Sequence, residues 1–242
     1  MILFFNSNLP LNNTTKTFLI LYLIVFVMVH PIAKQIVPPL CRIWLRKASG
    51  LENIPKNDTF IAAANHSSYY ETLLLPSIIV SVLNKKIHAL VNSYYWSKPL
   101  TRFFLNIWEQ IPVFVEKEKG SKEKNNRAFE KAVSYLNKNE LVMVFPEGRR
   151  NYEGKLGKGY NGVAILALKS KKPVLPIGVI DSHKVLPKGA ILPRFARCEV
   201  KIGKPMYFNY HYNKTITQKN LGIITRRIMK EIAKLIGQKY NY

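Results

Sequence analysis

The stretch "AAANHSSYYETLLL", Ala62 to Leu75, begins as an apolar run, stops at Asn65-His66, and resumes as a helix-like pattern opened by Glu71. Small apolar residues ending in a polar pair, followed by helical spacing, read as a strand turning into a helix. In α/β proteins the carboxyl edge of such a strand is where ligand chemistry is usually placed. A neutral imidazole there can take a proton from an alcohol, provided a carboxylate on its other nitrogen fixes the tautomer. Glu71, one turn into the helix, can reach back to do this. The same residues also spell a helix-start box. In Ser68-x-x-Glu71 the serine caps the helix and the glutamate bonds the cap N–H, worth about 1 kcal/mol. Alone, the stretch does not choose between the two.

Short apolar runs alternate with helical stretches on either side of it. "TFIAAAN" (59–65), "IHALVN" (87–92), "QIPVFVE" (110–116), "ELVMVFPEG" (140–148), "PVLPIGVI" (173–180) and "RCEVKIGKPM" (197–206) read as strands. Residues 71–83, 99–108, 126–139, 160–171 and 220–236 read as helices, with a kink expected at Pro76. This order predicts an α/β fold: a mostly parallel central sheet flanked by helices.

The chain has 242 residues, enough for one substantial core and short for two. It carries 37 Lys+Arg against 14 Asp+Glu, a net charge of +23. A genome biased toward Lys, Asn, Ile and Tyr would explain Lys in place of Arg, but not the scarcity of acids. Such a field calls for an anionic partner: a phospholipid surface, a phosphorylated substrate or nucleic acid. Cys41 and Cys198 stand far apart with no Cys-x-x-Cys and no His cluster, so neither a disulfide framework nor a metal site is indicated.

Residues 1–48 differ from the rest. "TFLILYLIVFVMV" (17–29) is uncharged and reaches Ala33 only through His30-Pro31. It falls between a spanning helix and an interfacial one, and it lacks the flanks of a signal peptide. If it spans, Lys34, Arg42, Arg46 and Lys47 place the rest in the cytoplasm. "IVPPLCRIWLRK" (36–47) reads after Pro39 as a short amphipathic helix, for a headgroup layer or for packing on the core. The expected organisation is a membrane-attachment hairpin over 1–48 and a catalytic domain over 49–242.

Three further stretches end or form strands. "FPEGRR" (145–150) puts Glu147, Arg149 and Arg150 after an apolar strand. Arginine forks suit phosphate oxygens, although a plain turn with solvated charges has the same composition. "VFVEK" (113–117) ends in an acid and a cation. "VLPIGV" (174–179) is an apolar strand around Pro176, suited to core or an acyl-pocket wall.

In this order, Asn-His-x-x-x-x-Glu, "FVEK", "FPEGRR" and "VLPIGV" resemble the glycerolipid acyltransferase family, which includes the 1-acylglycerol-3-phosphate (lysophosphatidate) acyltransferases. The resemblance covers roughly residues 50 to 210, starting with "GLENIP" (50–55). It implies that His66 is the general base, with Asn65 beside it in the motif. Glu71 stands where most members have Asp. Lys117 stands where the second motif usually has Arg, a phosphate contact. Glu147, Gly148 and Arg150 match the third motif, with Pro146 before them. Its usual Glu-Gly-Thr-Arg reads Glu-Gly-Arg-Arg here, so Arg149 is an added cation. Lys158-Gly159 resemble the Lys-Gly after that loop, and Pro176 matches the fourth motif.

The implied reaction moves an acyl group from a thioester, acyl-CoA or acyl carrier protein, to a lysophospholipid hydroxyl. Lys117 and Arg150, with Arg149 and Lys158, would hold the acceptor phosphate, and Glu147 and Gly148 of the third motif would belong to the same phosphate and acceptor site. A backbone N–H at the helix start after His66 is the expected oxyanion donor. No metal and no cofactor beyond the co-substrate is needed. Two alternatives stand beside it. One is the same chemistry on lysophosphatidylglycerol, a lyso-aminolipid or a lipid-A-like sugar. The other is a basic membrane- or nucleic-acid-binding protein, against which the scattered cations and the lack of a recognised nucleic-acid motif argue.

Overall fold

The computed structural model describes residues 38–114, 120–212 and 215–242. Residues 1–37, which hold most of the expected attachment hairpin, lie outside these, as do Val115, Glu116 and Lys117. No helix among the described residues is long and apolar enough to cross a membrane.

Seven strands form one sheet in the order β1-β7-β6-β2-β5-β3-β4. In chain order they are β1 (Leu45–Ser49), β2 (Ile61–Ala64), β3 (Ile87–Asn92), β4 (Ile111–Val113), β5 (Leu141–Val144), β6 (Val174–Ile180) and β7 (Cys198–Ile202). All neighbouring pairs are parallel except β6 with β7. The helices are α1 (Glu71–Val82), α2 (Pro99–Ile107), α3 (Ser121–Asn137), α4 (Gly162–Ser170), α5 (Ser182–Val185) and α6 (Gln218–Leu235).

The central strands are buried on both faces. In β2, Ala62 and Ala64 join one core cluster with α1, while Ile61 and Ala63 join the opposite cluster with α3, α4 and α6. β5 alternates in the same way, with Leu141 and Met143 on one side and Val142 and Val144 on the other. Helices covering both faces leave no polar face, and this is why the strands read as unbroken apolar runs.

Strand order sets the site. β2 lies between β5 and β6, and Ala63 faces both Val144 and Pro176. The residues after β2 and after β5, His66 and the 145–150 loop, therefore leave the sheet side by side at its carboxyl edge.

Two expectations are corrected near the amino-terminal side. Of the expected 36–47 helix, the described residues hold a helical turn at 38–41; the chain then enters β1 at Leu45, pairing in parallel with β7. The boundary drawn at residue 48 thus falls inside a strand. Leu40, Ile43 and Trp44 imitate helical spacing, and the charged Arg46 and Lys47 hide an edge strand, where exposed cations are tolerated and block further pairing. Helix α3 begins at Ser121 rather than near Asn126, after Gly120 in the left-handed region at φ 71°. Its first turn is all polar and gives no apolar signal. Helix α1 runs through Pro76 to Val82.

Candidate active site

Asn65 continues the β2 ladder with its side chain. Its Nδ2 donates to the Val179 carbonyl at 2.8 Å, and its Oδ1 accepts the Val179 N–H at 2.7 Å. The chain is clamped to β6 one residue before His66, so Asn65 braces the site and does not line it.

The His66 ring stacks on Phe145 with centroids 3.9 Å apart. Its Nδ1 lies 2.7 Å from Glu71 Oε2. It borders a cleft of about 1760 Å³. With Nδ1 engaged, Nε2 is the nitrogen free to meet an incoming hydroxyl.

Glu71 is fully buried. Its Oε1 accepts the N–H groups of Ser67 at 2.9 Å and Ser68 at 3.0 Å, the Ser67 hydroxyl at 2.8 Å and the Ser182 hydroxyl. Both readings of the opening stretch are therefore realised in one carboxylate, which braces the turn into α1 and orients the imidazole. The cap itself differs from expectation. The residue preceding α1 is Tyr70, and Ser68 Oγ instead accepts the Tyr70 N–H and donates to the Leu186 carbonyl at 2.8 Å. Because Glu71 takes the Ser67 and Ser68 N–H groups, and Ser68 Oγ takes that of Tyr70, these are not free as oxyanion donors.

Glu147 is also repositioned by the structure. It is buried, and its Oε1 and Oε2 accept the backbone N–H groups of His66 at 2.7 Å and Gly157 at 2.6 Å. The Asn151 N–H donates to the His66 carbonyl at 2.8 Å. The loop after β5 thus holds both peptides of the histidine, and Glu147 is a strut rather than a phosphate contact. An added Cβ at Gly157 would stand 2.9 Å from Glu147 Oε2, so this approach needs glycine.

Burial pushes the Glu147 carboxyl up to about 7, against the two N–H groups that favour its charged form. A carboxyl raised above its ordinary 4.5 stabilises the fold fully below that value, and loses the contribution as pH climbs through about 7. Between about pH 5 and about pH 8 the wild type should therefore lose more melting temperature than Glu147→Gln, whose side chain does not titrate. Parallel melting curves across that range would contradict the raised value.

Arg150 enters the cleft among aromatic rings. Its guanidinium carbon sits 3.4 Å from the centre of the Tyr69 ring. Its Nη2 donates to the Tyr95 hydroxyl at 3.3 Å, and that hydroxyl lies 2.7 Å from the Tyr69 hydroxyl. Its Nη1 is buried with no hydrogen-bond partner among the described residues. Burial lowers the Arg150 pKa to about 10, opposed by Tyr152, so the group is still cationic at neutral pH. An orphaned charged donor of this kind is costly unless something anionic meets it.

The other expected residues divide. Arg149 is exposed and borders the cleft, as do Gly148 and Pro146. Gly148 has φ +63°, and Pro146 accepts the Tyr160 N–H through its carbonyl at 2.8 Å. Lys158 is exposed and stands outside the cleft lining. Pro176 is buried within β6, its carbonyl accepting the Gly203 N–H at 2.9 Å; it packs in the sheet and stands outside the cleft lining. Lys117 lies outside the described residues. Ser182, Phe145, Tyr69 and Tyr95 were not singled out from sequence. The aromatic residues gave no signal apart from core, and Ser182 comes from a helix of four residues after β6.

A histidine at the carboxyl edge of the sheet, oriented by a buried carboxylate, thus shares a cleft with an arginine whose Nη1 has no hydrogen-bond partner among the described residues, an arrangement able to move a proton beside a cation. The chain matches the Acyltransferase family model over residues 46–180, more than half its length, and belongs to that family. It is 25% identical over 160 residues to a chloroplastic 1-acyl-sn-glycerol-3-phosphate acyltransferase of Brassica napus, covering 65% of this chain and 44% of the relative. It is 27% identical over 173 residues to a 1-acyl-sn-glycerol-3-phosphate acyltransferase of Pseudomonas aeruginosa, covering 71% and 63%. The chain thus spans less than two thirds of either relative. The crystal structure of the 1-acyl-sn-glycerophosphate acyltransferase PlsC from Thermotoga maritima shares the fold, with a TM-score of 0.62 and 20% identity over 95% of this chain and 98% of that one.

Proposed function

We propose that the protein transfers a fatty acyl group from acyl-CoA or acyl carrier protein to the free hydroxyl of a lysophospholipid, 1-acylglycerol-3-phosphate above others, giving phosphatidic acid. The observation that carries this reading is the His66–Glu71 pair opening on the same cleft as the unpartnered Arg150 Nη1. His66 Nε2 takes the hydroxyl proton as the oxygen attacks the thioester carbonyl. The tetrahedral intermediate expels the thiolate, which leaves as the thiol with the proton held on His66. Glu71 keeps Nδ1 protonated throughout and favours the imidazolium that forms. Arg150, preset against Tyr69 and Tyr95, holds the acceptor phosphate and orients the hydroxyl. Leu73, Leu90, Phe129 and Ile165 along the cleft offer apolar surface to an acyl chain. The net charge of +23 supports seating on an anionic membrane, and Lys34, Arg42, Arg46 and Lys47 after the apolar run 17–29 support a catalytic domain facing the cytoplasm.

A panel of lyso-lipids offered with labelled acyl-CoA and acyl carrier protein tests the proposal. The expected product is phosphatidic acid. Arg149, exposed at the cleft, is what would favour a larger phosphorylated headgroup such as lysophosphatidylglycerol. Arg150→Ala should lower kcat/KM for a phosphorylated acceptor by about 10²- to 10³-fold, the scale for losing one partner of a buried charge pair. An acceptor without phosphate should lose far less. Equal losses on both would remove Arg150 from phosphate binding.

A further inference from the structure

Between α5 and β7 the chain runs "PKGAILPRFAR", residues 187–197. Phe195 is as exposed as in an extended peptide, at 112%, and Leu192 is 66% exposed. Lys188, Arg194 and Arg197 flank them, and among the described residues no carboxylate lies within ion-pair distance of the three. The base of the segment is fixed. The Arg194 N–H donates to the Val185 carbonyl at 2.7 Å, and Ala190 and Ala196 pack against the core. The fold therefore holds an aromatic and an aliphatic side chain out into solvent between cations that no carboxylate among the described residues neutralises.

We propose that residues 187–197 form a membrane-inserting loop that seats the cleft mouth on an anionic phospholipid bilayer. This deepens the reading above and rests on it only for what the cleft receives from that bilayer. Apolar tips interleaved with cations suit the headgroup boundary, where the rings and aliphatic groups enter the acyl region and the cations meet phosphates.

Two neighbours make a bilayer the occupant. On one side the loop adjoins the point where the chain enters the sheet. The Cys198 N–H donates to the Trp44 carbonyl at 2.8 Å, and Leu45 faces Cys198 in the β1–β7 ladder. Leu40 and Ile43, just before that point, are themselves exposed, and the sequence leading to them contains the uncharged run 17–29. On the other side Lys188 Nζ lies 5.3 Å from the centre of the Tyr152 ring, which borders the cleft beside Arg150. A surface that bears on the loop is brought to the mouth of the cleft, where a lyso-lipid in that layer would meet the arginine.

Cys41 and Cys198 are buried, so a cysteine placed at the loop tip is the group a thiol-reactive dye will label. An environment-sensitive dye is attached to Phe195→Cys in the full chain, and to Lys138→Cys at the far end of α3 as a reference. With phosphatidylglycerol-rich vesicles, the expected result is a several-fold rise and blue shift of emission at position 195 and none at 138. Vesicles of phosphatidylcholine should give a much smaller change. An aqueous spectrum at 195 with the protein bound to vesicles would overturn the proposal. So would a response to added acyl carrier protein with none to vesicles, which would make the loop a carrier dock. The spectra need no catalysis, so they stand or fall separately from the acyl-transfer reading. In turnover, Leu192→Glu with Phe195→Glu should cost about 10²-fold or more on an acceptor presented in vesicles, the lower end of the scale for losing two buried apolar side chains. A monomeric short-chain acceptor should be used as before. Equal losses on both acceptors, or none on vesicles, would count against insertion.

Discussion

Replacing His66 by alanine is expected to lower acyl transfer by roughly 10³- to 10⁴-fold, the upper range for a positioned general base. The protein should stay folded. The backbone of His66, not its ring, carries the structural bonds: its N–H goes to Glu147 and its carbonyl to Asn151. The substitution removes the stack on Phe145 and one hydrogen bond to Glu71, so stability should fall by about 1 kcal/mol. Glu71 keeps its four donors on Oε1 and does not become an unpartnered charge. Turnover with labelled acyl-CoA, beside a thermal melt of the same sample, separates the two effects. Near-normal transfer by a well-folded His66→Ala protein would refute the assignment of the general base.

What could be read from the sequence follows from where each signal originates. β2, β5 and β6 were legible because burial on both faces writes itself as an uninterrupted apolar run. β1 was not, because an edge strand with Arg46 and Lys47 facing solvent has no such signature. The order of motifs singled out His66, Glu71 and Arg150, and the fold brings all three to the same edge of the sheet. It did not say which way a side chain turns. Glu147 and Arg150 are three residues apart in one loop, yet the first turns inward to two backbone N–H groups and the second outward to the tyrosines. Lys158 and Pro176 likewise match motif positions without reaching the cleft. The partners of these side chains come from far along the chain: Ser182 is 111 residues from Glu71, and Tyr95 is 55 from Arg150. Pairings of that separation are products of the sheet order, and no local pattern encodes them.

Glu71 shows how one side chain's two roles can be separated. Glu71→Gln should preserve most of the fold and lose about 10³- to 10⁴-fold in turnover, the scale of a wrong tautomer in a histidine–carboxylate pair. The amide has one acceptor oxygen and one donor nitrogen. Four donors converge on the Oε1 position, two N–H groups and two hydroxyls, so the amide oxygen must sit there. The amide nitrogen then takes the Oε2 position, 2.7 Å from Nδ1 in the wild type. Facing a donor, Nδ1 must give up its proton and accept. The proton moves to Nε2, the nitrogen that has to receive the acceptor's hydroxyl proton, and the base is switched off without being removed. Glu71→Ala should behave differently. It strips the acceptor from all four donors in a buried turn, at about 1–3 kcal/mol for each group left unsatisfied, so the melt should fall steeply along with activity. If Glu71→Gln lost stability and turnover in equal measure, as Glu71→Ala should, the carboxylate would be a brace for the turn into α1 and nothing more. The Ser67 N–H also lies 3.1 Å from Oε2, so the amide nitrogen placed there gives up this longer branch of a shared bond while Oε1 keeps all four donors; a stable Glu71→Gln protein with a nearly intact melt and little turnover is the outcome this arrangement requires.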